Sequence, residues 1–249
     1  MRVGHGSLSE YREADEAIRA DFSDGRVRMS FEDNFLAVSV DAPDAKAAYD
    51  AARAFAELFA HALSVQFGMR FGAEFLFVED DQGVPRRVPT SYQVPFGVTW
   101  YNLAETRDRL GTAFHWAIAA DDRSRKAMLY FDHACLLAEF AWTLPITGPH
   151  ATFSYALAFL QLFKALAAIV GEPGVDRDYQ RRAAELGLPA DFWSSRVKPL
   201  YLIRNDEDVA HYSLQPPEPG AFLNRFRDAA GVFKEALSAY FKWLSEKAS

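Results

Sequence analysis

The sequence predicts a predominantly helical chain built in two parts. A small α+β unit over residues 1–110 precedes an all-α antiparallel helical bundle over residues 111–249. Three observations predict this. Short strand-like runs bounded by turn signals fall in the first part only. Long stretches with apolar residues at three- and four-residue steps fill the second. Half of the 249 residues are apolar and 21 are Phe, enough to fill a large core.

Arg26–Ser30 and Phe35–Val40 read as a hairpin across Phe31-Glu32-Asp33-Asn34. Asp41-Ala42-Pro43-Asp44 breaks the second strand and signals a helix start. Ala45–Phe67 then runs without Gly or Pro. Its stripe of Tyr49, Ala52, Phe55, Ala56, Phe59, Leu63 and Phe67 marks an amphipathic helix, which Gly68 closes. Ala73–Glu79 reads as a short strand, Glu79–Gly83 as an acidic turn and Gln93–Trp100 as another strand. The unit ends between Trp100 and Gly111.

The second part reads as helix throughout. Helices are expected over Asp122–Thr143, ended by Pro145 and Pro149, and over His150–Val170, ended by Gly171 and Pro173. A shorter one covers Asp176–Leu186 before Gly187 and Pro189, and another runs from Ala190 to His211. Pro216, Pro217 and Pro219 form a rigid elbow. The last helix runs from Ala221 to the end, with Phe222, Phe226, Phe233, Leu237, Tyr240, Phe241 and Leu244 on one stripe. Four or five such helices make an antiparallel bundle. No internal repeat or low-complexity segment is present.

Composition narrows the function classes. No apolar run approaches the ~18 residues that span a bilayer, so no membrane partner is expected. The polar, acidic start does not read as a signal peptide. The single cysteine, Cys135, excludes an internal disulfide and a Cys-based zinc site, and a reducing cytoplasm is the expected location. The net charge of −7 is uneven: Met1–Thr112 holds 12 basic and 18 acidic residues, Ala113–Ser249 holds 15 and 16. Without a Lys/Arg cluster, tight binding to duplex DNA through many phosphates is not expected, whereas a pocket gripping one or two phosphates is compatible with the charge.

The chemistry concentrates in Pro199–Leu214. Arg204 and His211 stand seven residues apart, nearly two helical turns, and so share a face about 10 Å apart along the axis. Arg204, Asp208 and His211 form a ladder at four- and three-residue steps. Arginine holds a phosphate through its planar fork, and histidine moves protons near neutral pH. Glu207 or Asp208 is placed to hold the imidazole and raise its basicity. A second copy of the helix, supplied by a homodimer, would bring more Arg and His side chains into one cleft. The same ladder also suits a solvated helix face that serves only stability.

The string IRNDEDVAHY, with Arg204-Asn205, six residues between Arg and His, and small Ala210 before His211, resembles the signature of the HEPN superfamily. Its setting on a late helix of a bundle, before a loop and a final helix, is similar too. Arg125–Phe140 and Phe153–Gly171 resemble the long first helices of such bundles, and the resemblance spans roughly Leu110 to Ser249. It implies a dimeric, metal-independent endoribonuclease without a cofactor. In that chemistry the RNA 2′-hydroxyl attacks the adjacent phosphate and leaves a cyclic phosphate end. Carried across, Arg204 would stabilise the phosphorane, Asn205 would orient the motif and His211 would act as acid or base. Defence and stress roles recur in the superfamily. Other members keep the bundle as a non-catalytic dimerisation or nucleotide/RNA-binding module, which stays open here. The sequence departs from the common pattern in its acidic spacer Asp206-Glu207-Asp208, which repels RNA. It departs again in Tyr212, which follows His211 directly where the toxin subgroup places Tyr one residue later.

Other residues read more plainly. His115, His133 and His150 lie in or beside apolar helices as ordinary core or surface residues, and His133 with Asp132 and Glu139 lacks ligand spacing, so no metal site is expected. Cys135 reads as a buried, inert thiol. Neither GxGxxG, GxxxxGK[ST] nor GxSxG occurs. Arg86-Arg87, near Pro85 and Pro89, reads as an exposed basic loop rather than a phosphate contact. Trp193, Tyr201 and Tyr212 are candidate base-stacking residues, Trp193 reading better as core.

Overall fold

The computed structural model describes residues 2–6, 19–32, 35–72, 77–79, 85–87, 103–143, 149–171, 176–205 and 219–248. The chain is predominantly helical, with a small antiparallel sheet near its N-terminus. It divides into two compact units, one of residues 1–63 and 72–118, the other of residues 64–71 and 119–249.

The first unit carries six described strands: β1 (Arg2–Gly6), β2 (Arg19–Ser23), β3 (Val27–Glu32), β4 (Phe35–Val40), β5 (Phe77–Glu79) and β6 (Pro85–Arg87). Their order is β2-β3-β4-β1-β5-β6, every neighbour antiparallel. The expected hairpin is β3–β4. Its register pairs Glu32 with Phe35, so only Asp33 and Asn34 separate the strands, and both lie outside the described residues. Alternation sets the buried face: Met29 and Phe31 oppose Val38 and Leu36, and all four are buried. The β2–β3 turn is closed by Asp24, whose Oδ1 accepts the Arg26 and Val27 N–H groups at 2.9 and 2.8 Å, while Gly25 takes the left-handed φ of 90°. The Val27 N–H, helped by the Arg26 N–H, outweighs the opposing effect of burial and holds the Asp24 carboxyl below its ordinary value.

Helix α1 spans Ala45–Phe67 as the periodicity predicts, and Gly68 ends it at φ 68°. Asp44 caps it, its Oδ1 accepting the Ala47 N–H at 2.8 Å. Helix α2 (Leu103–Ala119) has no counterpart in the sequence reading. Its buried Thr106, Leu110, Ala113, Phe114 and Ala117 recur at helical steps. Phe114 stacks on Phe22 of β2 at 5.4 Å and meets Phe55 of α1 edge-on at 5.7 Å. A Cβ at Gly111 would stand 3.3 Å from the Phe22 ring, so the missing side chain lets strand and helix approach.

In the second unit α3 (Asp122–Thr143) and α4 (Pro149–Val170) are 22 residues each, and the chain between them is short enough to return them antiparallel. Then come α5 (Asp176–Glu185), a π-helical turn over Phe192–Val197, α6 (Lys198–Asn205) and α7 (Pro219–Ala248). Pro219 is the first residue of α7 rather than part of an elbow before it, because the first helical position has no use for the N–H that proline lacks. Phe131 of α3 stacks on Phe233 of α7 at 5.0 Å, and both are fully buried. Among the described residues no helix is long and apolar enough to cross a membrane.

Candidate functional site at the end of α6

The expected helix over 190–211 begins as the π turn. Ser195 N–H donates to the Asp191 carbonyl at 2.7 Å, and the Ser194 and Ser195 hydroxyls donate to the same oxygen at 3.1 and 2.7 Å. Lys198 N–H reaches back five residues to the Trp193 carbonyl. Pro199 explains the wide turn: it offers no N–H to the Ser195 carbonyl, and its ring would press on that oxygen in a regular α-helix. Phe192, Trp193 and Val197 are buried, so this turn fixes the entry of α6.

Leu200 then anchors α6 beside Phe159, Phe163 and Leu166 of α4 and Phe233 of α7, around one apolar pocket. Arg204 and Asn205 are the last two residues of α6, and Arg204 lies one turn, about 6 Å, beyond Leu200 along the axis. The structure thus brings Arg204 and Asn205 onto one end of a helix held by the bundle. Glu207, Asp208, His211 and Tyr212 lie outside the described residues, as does Gln93–Trp100.

Trp193 is a core residue. It is 4% exposed and stacks on Tyr179 with ring centroids 3.7 Å apart, which leaves no face for a base. Tyr201 is half-buried, 5.7 Å from Phe163 and 6.3 Å from Trp193. Arg86 and Arg87 lie in β6, paired with Val78 and Phe77, rather than in a loop. Pairing with β5 overrides the turn signal of the flanking prolines, since Pro85 takes a strand end, where proline is tolerated.

His115 and His133 are exposed. Among the described residues no three His, Cys, Asp or Glu side chains gather as a ligand set. Cys135 is buried as expected. Burial, with the Asp132 and Glu139 charges beside it, pushes its thiol well above the ordinary value, so it stays protonated and unreactive.

The sequence reading missed two polar ties in the second unit. The Ser64 hydroxyl donates to buried Asp132 Oδ1 at 2.8 Å and accepts the Phe71 N–H at 3.0 Å. Arg70 adds an ion pair from its Nε to Asp132 Oδ2 at 3.7 Å, and its backbone N–H donates to Glu139 Oε1 at 3.0 Å. These contacts pin residues 64–71 to α3. Burial pushes the Glu139 carboxyl up, against the opposing pull of the Arg70 N–H and charge. The second tie joins Asp121, which caps α3, to Tyr240 of α7, whose hydroxyl donates to Asp121 Oδ2 at 2.7 Å. Burial works against the Asp121 carboxylate. The Ser124 N–H, the Tyr240 hydroxyl and the Ser124 hydroxyl together outweigh it and hold the group below its ordinary value. Burial, then the bond to Asp121, pushes the Tyr240 phenol up to about 12. Partners 68 and 119 residues apart leave no local sequence signal.

Compared with protein-family models, with curated proteins and with solved structures, the chain has no match in any of the three.

Proposed function

We propose that this chain is a HEPN-type, metal-independent endoribonuclease that acts as a homodimer. One observation carries the reading: the Arg204-Asn205-x5-His211 string starts on the last turn of α6, in a helical unit whose two long helices precede it and whose final helix follows. In this reading two copies of the motif share a cleft. Arg204 neutralises the charge that develops on the phosphorus oxygens as the 2′-hydroxyl attacks. His211 takes the 2′-hydroxyl proton, or gives one to the departing 5′-oxygen, and Asn205 orients the pair. Asp208 or Glu207 holds the imidazolium form, and the bond that breaks is P–O5′, leaving a 2′,3′-cyclic phosphate.

The acidic spacer Asp206-Glu207-Asp208 favours a second reading, a non-catalytic nucleotide- or RNA-binding dimerisation module, because three carboxylates beside the motif oppose the approach of a polyanion. A mixed RNA pool incubated with the protein in EDTA separates the two. Cleavage to cyclic phosphate ends by the native chain, lost in His211→Ala, supports the ribonuclease. Saturable RNA binding without cleavage, weakened by Arg204→Ala, supports the module. Equal cleavage by native chain and His211→Ala excludes the motif as its source.

A further inference from the structure

A second candidate site lies where the start of α3, the end of α4 and α5 come together, a cleft of about 360 Å³. Arg123, Gly171, Asp178, Arg181, Arg182 and Glu185 line it. We infer that this cleft binds a small phosphate-bearing molecule through its three guanidinium groups.

Charge is the first argument. Three arginines face two carboxylates, and both carboxylates are engaged. Asp178 pairs with Arg181 at 3.3 Å and Glu185 with Arg182 at 3.0 Å. Arg123 forms no ion pair among the described residues. It sits in the first turn of α3, where the helix dipole is already positive and a cation is disfavoured. Asp121 and Asp122 already answer that helix end, so a dianion in the cleft would answer the spare guanidinium.

The second argument is hydrogen bonding. Arg182 is held rigidly: its Nη1 donates to Glu185 Oε2 at 3.0 Å, and its guanidinium lies 5.1 Å from the centre of the Trp243 ring. Its Nη2 is buried and has no hydrogen-bond partner among the described residues. A guanidinium offers five N–H groups in a fixed fork, and a stranded buried donor is costly. Phosphate supplies several acceptor oxygens in the geometry such forks match. The volume suits a small phosphate ester or pyrophosphate rather than a polymer. Tyr179, which also lines the cleft, is already stacked on Trp193, so recognition of a base is not part of the proposal.

The competing role for these arginines is structural. No basic residue lies in the last turn of α4, and cations from α5 complement a helix C-terminus. The test separates the roles. Full-length protein is titrated with inorganic pyrophosphate and, separately, with ribose 5-phosphate, by calorimetry at fixed ionic strength. Submillimolar binding of either probe is expected. Arg123→Gln, an exposed position, should weaken it roughly tenfold, the loss of one charge-assisted contact, with an unchanged melting temperature. Glu185→Gln, which releases Arg182, should tighten it several-fold. Tighter pyrophosphate assigns the site to polyphosphates, and tighter ribose 5-phosphate to sugar phosphates. No saturable binding of either probe at millimolar concentration, or equal binding by native chain and Arg123→Gln, overturns the proposal. The cleft shares no residue with the Arg204–His211 motif, so that result leaves the ribonuclease reading untouched.

Discussion

The two units are held together by different means. In the first, the described ion pairs Arg19–Glu32, Lys46–Asp50, Arg53–Glu57 and Arg109–Glu105 lie at or near the surface, where such pairs contribute little. Its cohesion comes from the alternating face of β3 and β4 and from the ring cluster Phe22, Phe55 and Phe114. In the second, the apolar core is crossed by polar ties between distant segments, Ser64 to Asp132, Lys234 to the Gln66 carbonyl at 3.1 Å, and Tyr240 to Asp121. Apolar packing asks mainly for volume and shape. A buried carboxylate asks for particular donors, and so specifies which segments meet.

That contrast is broken most severely from the apolar side. Phe114→Ala should destabilise the first unit by about 3–4 kcal/mol in urea denaturation, because the cavity opens at the junction of three elements. Phe114→Leu should cost much less, since most of the volume stays. A loss as large for Leu as for Ala would mean that ring geometry, not volume, holds this unit.

Asp132→Ala should cost about 2–3 kcal/mol in the second unit, as the Ser64 hydroxyl and Arg70 lose their acceptor. Asp132→Asn keeps an acceptor oxygen for Ser64 and should cost less. Hydrogen exchange should show residues 64–71 exchanging faster in the Ala variant, and protection equal to the native chain would show that the tie is dispensable.

Tyr240→Phe should cost about 1 kcal/mol at neutral pH, one hydrogen bond. The phenol titrates in the fold at about 12, above its ordinary 10.0. Its contribution is therefore fully present below pH 10 and is lost as pH rises through about 12. Denaturation of both proteins across that window should show the difference shrinking. At the acid end Asp121 behaves oppositely: its depressed carboxyl stabilises the fold above the ordinary carboxylate range, and that contribution is lost as pH falls through the folded value.

The smallest effect has the opposite sign. Burial raises the Glu139 carboxyl, so the ionised side chain weakens the fold as pH rises from 4.5 through the folded value. Glu139→Gln keeps an oxygen for the Arg70 N–H and should be more stable at pH 7 by a few tenths of a kcal/mol, with no gain at pH 4. A gain that persists at pH 4 would assign the effect to packing.

Much of the architecture is legible in the residues. Helices α1, α3 and α4 start and stop within a residue of where the periodicity and the Gly and Pro signals put them, because those signals are local. The β3–β4 hairpin is legible for the same reason. Strand β2 also left a signal, Asp24-Gly25 ahead of the alternating run, which the reading passed over. Strands β1 and β6 left none, since five and three residues become strands only when a partner supplies the ladder. Helix α2 was legible in principle from Thr106, Leu110, Ala113, Phe114 and Ala117, and was missed because Gly111 reads as a break until Phe22 is seen lying against it. Of the motif, Arg204 and Asn205 fall on a helix as read.

By itself the sequence determined the helix-rich class, the order of its long helices, and the residue types at the Arg204–His211 motif, because periodicity, capping and side-chain chemistry act over a few residues. Only the tertiary structure decided that Trp193 packs on Tyr179, that Asp132 and Tyr240 tie distant segments together, and that Arg123, Arg181 and Arg182 share one cleft. Those contacts join positions tens of residues apart, and each is worth its free energy only after the backbone has brought desolvated partners within hydrogen-bonding distance.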